Sequence, residues 1–528
     1  MAAGRRKRGF WGLFSGHSSG RSRPKRAGPA LRRLGFEACE DRRLLAVGVG
    51  FAAGTLKLTG TAGAEQVTVL GRKSYVDIYV DGHVQSRFSN ANAAKVSTID
   101  FDGRGGGDSL TVQGIAGTGA GPGYAIKLTD VDTLSVVKGT NVRVGSNVAL
   151  NLDTTSLWGT LDFDQSINGP FALTQTGPVV VNGTTTFDVG AAGDVTLTDP
   201  ANNFSTVVVQ SAGNVALQDA SAIVFGESAV SGNLSVEANL GPAIRLAISQ
   251  SGKLTVGGHT TLTVGPASSI LLNHRSGTPL NPDNALVGTV SVAEAANATI
   301  SNRLATHLGA SHVTGNLSIR AAGAIDQVGG GAMVVEKLAT IDAFTANASP
   351  LPATSYDVTL DNLGNRFGTL SVPHAGNLTI DYAHALNLGN WRIAGDLTLT
   401  AGGAITDTGQ VTVLGNTTIA TSDNITLDST GSTYGSRIDK WLSLAGHDVY
   451  VRNGARTLLG LCSATGDLTV VAAGALTNSP DNGGTIYTLT VAGTATLYAG
   501  PNPLVLYTDG STFGTLVTVG SPVEIDPP

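Results

Sequence analysis

Carboxylates spaced two apart are the residues of this chain most suited to do chemistry. Asp130 with Asp132, and Asp162 with Asp164, stand at i and i+2. An extended backbone would put both members of each pair on one face. Such a pair suits calcium ligation or the acid and base of glycosidic cleavage, although a solvated outer strand face is the preferred reading of both. The nine histidines have no metal-ligand spacing. Cys39 and Cys462 form neither a disulfide framework nor a zinc pattern, and Cys462, between Leu461 and Ser463, reads as a small core residue. GHSSG at 16–20 has the letters of a nucleophile elbow but sits in a basic segment without a preceding strand. SGKL at 251–254 lacks the first glycine and the Ser/Thr of a phosphate loop.

The elements that would position these residues are written as repeats. Residues 375–419 read AGNLTIDYAHALNLGNWRIAGDLTLTAGGAITDTGQVTVLGNTTI, with Asn377, Asp396 and Asn416 at equivalent places. Asn214 and Asn233, Asn297 and Asn316, and Asp448 and Asp467 are each 19 apart, and residues 204–236 align without a gap on 367–399. A longer unit overlies this period: ALTQTG at 172, AISQSG at 247, AIDQVG at 324, AITDTG at 404 and ALTNSP at 475. Consecutive copies lie roughly four base periods apart, so a superperiod accompanies the base period. The chain ends on FGTLVTV at 513–519, which echoes FGTLSV at 367–372, as if another unit were opening.

Leu378 and Ile380 alternate with Thr379, so one face of each short strand is apolar. Gly376 and Asn377 are expected to occupy a left-handed corner. A rung of 19 to 20 residues cannot bury its own inner face, and stacking rungs solves the problem with parallel strands about 4.8 Å apart. The Asn/Asp positions would then form an amide ladder. The expected fold is all-β: a parallel β-helix of right-handed sense over residues 124–528, with roughly 20 rungs and a length on the order of 95 Å. A string of β-sandwich modules fits less well. It would not repeat internally at 19, and Trp158, Trp391 and Trp441 do not recur in each unit.

Residues 1–45 are different in kind. They carry twelve Lys and Arg against three acids, while the rest of the chain carries 21 bases against 36 acids. The segment reads as a disordered basic arm without a folded basic surface behind it, so nucleic acid is not an expected partner. Charged residues are only 14% overall, against roughly 25% in average chains. No apolar run approaches the roughly 18 residues of a transmembrane helix.

Residues 46–123 read as a small β-domain. Val67 and Val69, then Val76, Ile78 and Val80, alternate around an Asp81-Gly82 hairpin turn. GTAGAEQVT at 60–68 and GRGGGDSLT at 103–111 are degenerate copies of the glycine-rich nonapeptide that holds calcium between stacked turns. Glu65 and Asp108 occupy the acidic place, which makes them the candidate calcium ligands, and calcium the only cofactor to consider. Because the copies stand 43 apart along the chain, a tight-turn role is preferred. GIAGTGAGPG at 114–123 is a flexible joint and the expected domain boundary.

Two resemblances follow. LGFEACEDRRLLA at 34–46 resembles a short element near the N-terminus of many large bacterial surface proteins with β-rich repeats, and LLAVGVGFAAG at 44–54 is similar to a weak export h-region. They imply export, with a mature end near residue 46. The rung grammar over residues 126–528 resembles the β-helical repeats of filamentous-haemagglutinin-like and autotransporter passenger proteins. That resemblance implies a non-catalytic, adhesin-like rod, secreted or displayed on the surface, whose partners are extracellular or cell-envelope ligands such as polysaccharide or other surface proteins. The alternative is a carbohydrate-active β-helix enzyme, a polysaccharide lyase or glycoside hydrolase. The Asp-Asp and Gly-His-Gly elements that a galacturonase-like site would need do not occur.

Overall fold

A computed structural model describes residues 47–72, 75–89, 96–115, 124–139, 141–238, 246–276, 281–327, 331–345, 354–429, 436–479 and 486–526. The basic arm, the export-type element at 34–46, Cys39 and most of the 114–123 joint lie outside the described residues. The unit Leu45–Pro528 is an all-β parallel solenoid of about 17 turns over residues 109–525, preceded by antiparallel strands.

Alternation explains the core. In Leu378–Tyr382, Leu378, Ile380 and Tyr382 are buried while Thr379 and Asp381 are half-buried. Each apolar position rests on its counterpart one turn away. Ile380 pairs with Leu399, Leu399 with Ile419, Ile419 with Leu444 and Leu444 with Cys462. Cys462 is thus a core residue in a leucine column, its thiol pushed up to about 12 by burial. One apolar cluster runs from Val47 to Leu506, and each fully buried Leu or Ile in it contributes about 1.5–3 kcal/mol.

The turns are fewer than the base period implies because many of them exceed it. Leu397 pairs with Thr417, a step of 20, but Thr260 pairs with Val290, a step of 30, and Ile325 with Val358, a step of 33. The strands on either side of these longer steps remain paired in parallel. At about 4.8 Å per turn the stack is on the order of 80 Å high.

The corner ladder differs from an amide stack. Asn214 Oδ1 accepts the N–H of Asn233 at 3.0 Å, and Asn233 Oδ1 accepts that of His259 at 2.8 Å. The pattern recurs from Asn297 to Asn316 (2.9 Å), Asn377 to Asp396 (2.9 Å), Asp396 to Asn416 (2.7 Å) and Asp448 to Asp467 (2.9 Å). In each bond a side-chain oxygen of one turn holds the main chain of the next. The amide nitrogen is not needed, so Asp serves as well as Asn. The expected left-handed corner is not found either, since neither Gly376 nor Asn377 has positive φ. Glycine is required for room: a Cβ on Gly376 would lie 2.6 Å from Asp357 Oδ1, and one on Gly232 2.5 Å from Asn214 Oδ1.

The longer unit has its own device. Gln175 of ALTQTG and the fully buried Asn202 exchange two side-chain hydrogen bonds of 2.9 Å, and Asn202 Oδ1 also accepts the Val179 N–H at 2.8 Å. Gln250 with Asn284, and Gln327 with Asn365, repeat the arrangement. Where Asp407 replaces Gln, it accepts N–H bonds from Asp428 and Ser429. These plugs satisfy the main chain where a long turn leaves the regular ladder.

The first turn is covered by antiparallel strands. Gly48–Ala52 pairs with Thr55–Thr59, and Tyr75–Val80 pairs with both Gln66–Gly71 and His83–Ser89. Asp81 and Gly82 have φ of 48° and 79°, the two left-handed residues of the expected hairpin turn. Thr55–Thr59 pairs in parallel with Thr98–Asp102, and Thr98–Asp102 with Tyr124–Thr129. Parallel pairing therefore begins before the expected boundary at 114–123, and the hairpins and the rungs share one continuous core.

The steric role of the corner glycine gives a prediction in the sign of a stability change. At a permissive φ with open space, Gly→Ala stabilises by about 0.4–1 kcal/mol. Gly232→Ala is expected to destabilise instead, by about 1–3 kcal/mol, and Asn233→Ala by about 0.5–1.5 kcal/mol, with Asn233→Asp within about 0.5 kcal/mol of wild type. Urea unfolding of the three variants checks the order, and a stabilised Gly232→Ala would refute it.

Candidate functional site

The two glycine-rich copies are stacked directly, and the 43 positions between Glu65 and Asp108 make up one turn. Gln66 pairs with Ser109, and Ser109 with Thr133. The preceding residues, Glu65, Asp108 and Asp132, therefore stand at one corner of three consecutive turns. The tight-turn preference rests on separation along the chain, which the intervening hairpin inflates. Sequence reasoning places Glu65 and Asp108 here but assigns Asp132 to another feature. Its only signal is its separation from Asp108, which is longer than the base period and so escapes a search at that period.

Hydrogen bonds tie the three together. The Glu65 N–H donates to Asp108 Oδ1 at 2.7 Å, and the Asp108 N–H donates to Asp132 Oδ2 at 3.1 Å. Glu65 accepts from the Thr61 N–H at 3.1 Å and from the Thr61 hydroxyl. Glu65 and Asp108 are 3% and 0% exposed, and Asp108 Oδ2 has no hydrogen-bond partner. No described basic side chain pairs with any of the three, since the nearby Arg104 faces Asp102 at 3.7 Å.

Glycines make the approach possible. A Cβ on Gly103 would strike Asp108 Oδ2 and lie 2.5 Å from the Asp130 carbonyl oxygen. One on Gly60 would lie 2.7 Å from Glu65 Oε2 and 2.8 Å from the Gly103 oxygen. Arg104, where the nonapeptide has glycine, adopts φ 65° and begins the run of left-handed residues Gly105, Gly106 and Gly107. Burial pushes the Asp108 carboxyl up to about 6, against the lowering effect of the Glu65 N–H, and the Glu65 and Asp132 carboxylates push it the same way as burial.

The other candidates resolve differently. Asp130 and Asp132 do not share a strand face: they lie in the corner between Tyr124–Thr129 and Thr133–Gly139, with Asp130 at φ 52°. Asp162 and Asp164 do lie on one strand, Leu161–Asp164, and both are half-buried on its outer face. Asp164 caps a single helical turn by accepting the Ser166 N–H at 2.8 Å and pairs with Arg143 on the adjacent turn. Burial raises its pKa, but the Ser166 and Arg143 bonds outweigh burial and hold it below the usual range, the wrong direction for a general acid.

Two histidines pair with acids of an adjacent turn, His307 Nδ1 with Asp326 at 2.6 Å and His374 Nδ1 with Asp342 at 2.9 Å. The step of 19 between His307 and Asp326 is readable in the sequence. A groove of about 650 Å3 crosses several turns beside Asn390, Arg392, Gln410, Thr412 and Arg437, and a second, of about 580 Å3, runs past Ser235, His259, Thr261 and Ser291. Among the described residues no three Asp, Glu, His or Cys side chains form a ready-made metal ligand set.

Stacked short strands, an in-line core and corner ladders define a parallel β-solenoid repeat protein. Residues 139–211, 212–293, 295–372, 375–438 and 446–520 each match the family described as repeats of unknown function (DUF5649). Together they make up more than half of the chain, which therefore belongs to that family. No curated protein and no solved structure matches it. Each matched segment contains one plug residue, in order Gln175, Gln250, Gln327, Asp407 and Asn478.

The acidic corner gives a pH prediction. The folded pKa of Asp108 is raised above its ordinary value, so the folded form holds the proton more tightly than the unfolded chain does. Its contribution to stability is full well below pH 4 and is lost as pH rises through about 6. In chelator, amide protection of Val67–Val69 and Leu110–Val112 is expected to increase from pH 7.5 to pH 5, and the increase should vanish in Asp108→Asn. An equal increase in the variant would rule Asp108 out as its source.

Proposed function

We propose that this chain is an extracellular or surface-displayed structural rod of adhesin-like kind, and that its work is to hold polar outer faces at a fixed spacing rather than to catalyse a reaction. The observation that carries this reading is the apolar core from Val47 to Leu506 beneath strands at whose outer positions Thr is the commonest residue. A stiff, long and sparsely charged stack suits presentation of a repetitive surface. The resemblance of the rung grammar to filamentous-haemagglutinin-like and autotransporter passenger repeats supports the same reading. Open grooves of mixed polarity, such as the one beside Asn390, Trp391 and Arg392, are the surfaces on which an envelope polysaccharide or another surface protein would be held.

The start of the fold also bears on export. Gly48–Ala52 is a strand of the first hairpin and Val47 is buried, which supports a mature end near residue 46 over one beyond 54.

Protease treatment of intact producing cells, followed by mass spectrometry, tests the proposal. Peptides from residues 47–526 are expected in the supernatant, with a mature end near residue 46. Peptides released only after lysis would overturn surface display.

A further inference from the structure

We propose that the corner formed by Glu65, Asp108 and Asp132 is a divalent-cation site of the calcium type, in which Asp108 Oδ2, Glu65 Oε2 and the main-chain carbonyls of Gly103 and Asp130 face the ion. The inference is independent of surface display.

The first support is an oxygen without a partner. Asp108 is fully buried and its Oδ2 has no donor. A buried carboxylate oxygen left unpaired is costly, and the surroundings supply further acceptors in place of a donor. The Asp130 carbonyl lies across Gly103 from it, and the Gly103 carbonyl and Glu65 Oε2 both approach Gly60. These oxygens line two glycines of adjacent turns, and no described basic side chain neutralises them.

The second support is the use of hydrogen bonds. Asp108 Oδ1 is occupied by the Glu65 N–H and Asp132 Oδ2 by the Asp108 N–H. These bonds fix both carboxylates and leave Asp108 Oδ2 free. Asp132 contributes charge and orientation through the Asp108 main chain, which makes it a positioning residue. The third support is backbone shape: three consecutive glycines with positive φ, Gly105 to Gly107, bring one turn onto the other, and a Cβ on Gly106 would lie 2.6 Å from the Gly63 carbonyl oxygen. Neutral and anionic oxygens of irregular arrangement, without nitrogen or sulfur, favour calcium over zinc or copper, and water would complete a shell of about six to eight ligands.

The test uses the full chain, stripped with chelator and titrated with CaCl2 by calorimetry at pH 7.5. One site is expected, with affinity reduced about tenfold or more in Asp108→Asn and in Glu65→Gln. Hydrogen exchange on the wild-type chain, which needs no variant to fold, should show calcium-dependent protection confined to residues 60–70, 103–113 and 130–137. Absence of calcium binding by the wild type, protection located elsewhere, or unchanged affinity in well-folded variants would each overturn the site.

Discussion

A hydrogen bond from the main chain of one turn to a corner side-chain oxygen of the turn before it is the interaction on which this solenoid's register depends. Its short parallel strands give few ladder bonds each, and a slip of one residue would turn every core side chain outward. The corner bond blocks that slip because its acceptor is a side chain of fixed, short reach. Asn and Asp place an oxygen at that distance, and at most corners a glycine beside it leaves that oxygen space, with His447 and Lys337 in the glycine place over Asn424 and Asn316. The glycine of one turn and the Asn or Asp oxygen of the turn before it are therefore one steric unit.

Fixed corners also explain why short and long turns coexist in one stack. The lock acts at a corner, so residues inserted between other strands lengthen a loop without disturbing the column. Main-chain groups freed at those insertions need partners, and the Gln–Asn plugs supply them from inside the stack. One plug falls in each family repeat. The repeat recognised by comparison is thus the distance between plugs, and the rung is the unit of packing. Asp407 and Asn478 in the plug place use different partners, so the requirement is for a buried acceptor more than for an amide pair.

Much of this was legible in the sequence. Alternation at Leu378 and Ile380 marked the inward face, the short base period marked the stack, and Asp81-Gly82 marked the hairpin. What was misjudged has a common physical origin: the partner of a residue lies one turn away, at a distance along the chain that loops make irregular. Gly376 looked like a backbone device because the oxygen that excludes its Cβ belongs to Asp357. Glu65 and Asp108 looked too distant to cooperate because the hairpin at 75–89 sits between them. Asp132 looked like a strand partner of Asp130 because two residues in a corner are spaced like two on a strand. Spacing that identifies a fold is thus a poor guide to which side chains meet where turns vary in length.

The position of the acidic corner follows from solenoid energetics. Each turn is stabilised chiefly by its two neighbours, so the first turns, with fewer parallel contacts, open most readily. Placing Glu65, Asp108 and Asp132 in one column there concentrates repulsion at the weakest interface, which a random scatter of 39 acids over the chain would not do. The hairpins around Asp77 offset part of that cost: Asp77 is buried yet paired with Arg87 at 2.6 Å and Arg72 at 3.3 Å, and those partners hold its carboxyl low. The contrast between Asp77 and Asp108 is one of partners, since both are fully buried within two adjoining turns and only one has cations. A carboxylate in that setting is neutralised by a proton or by a metal ion, and either would tighten the end of the stack from which the remaining turns continue.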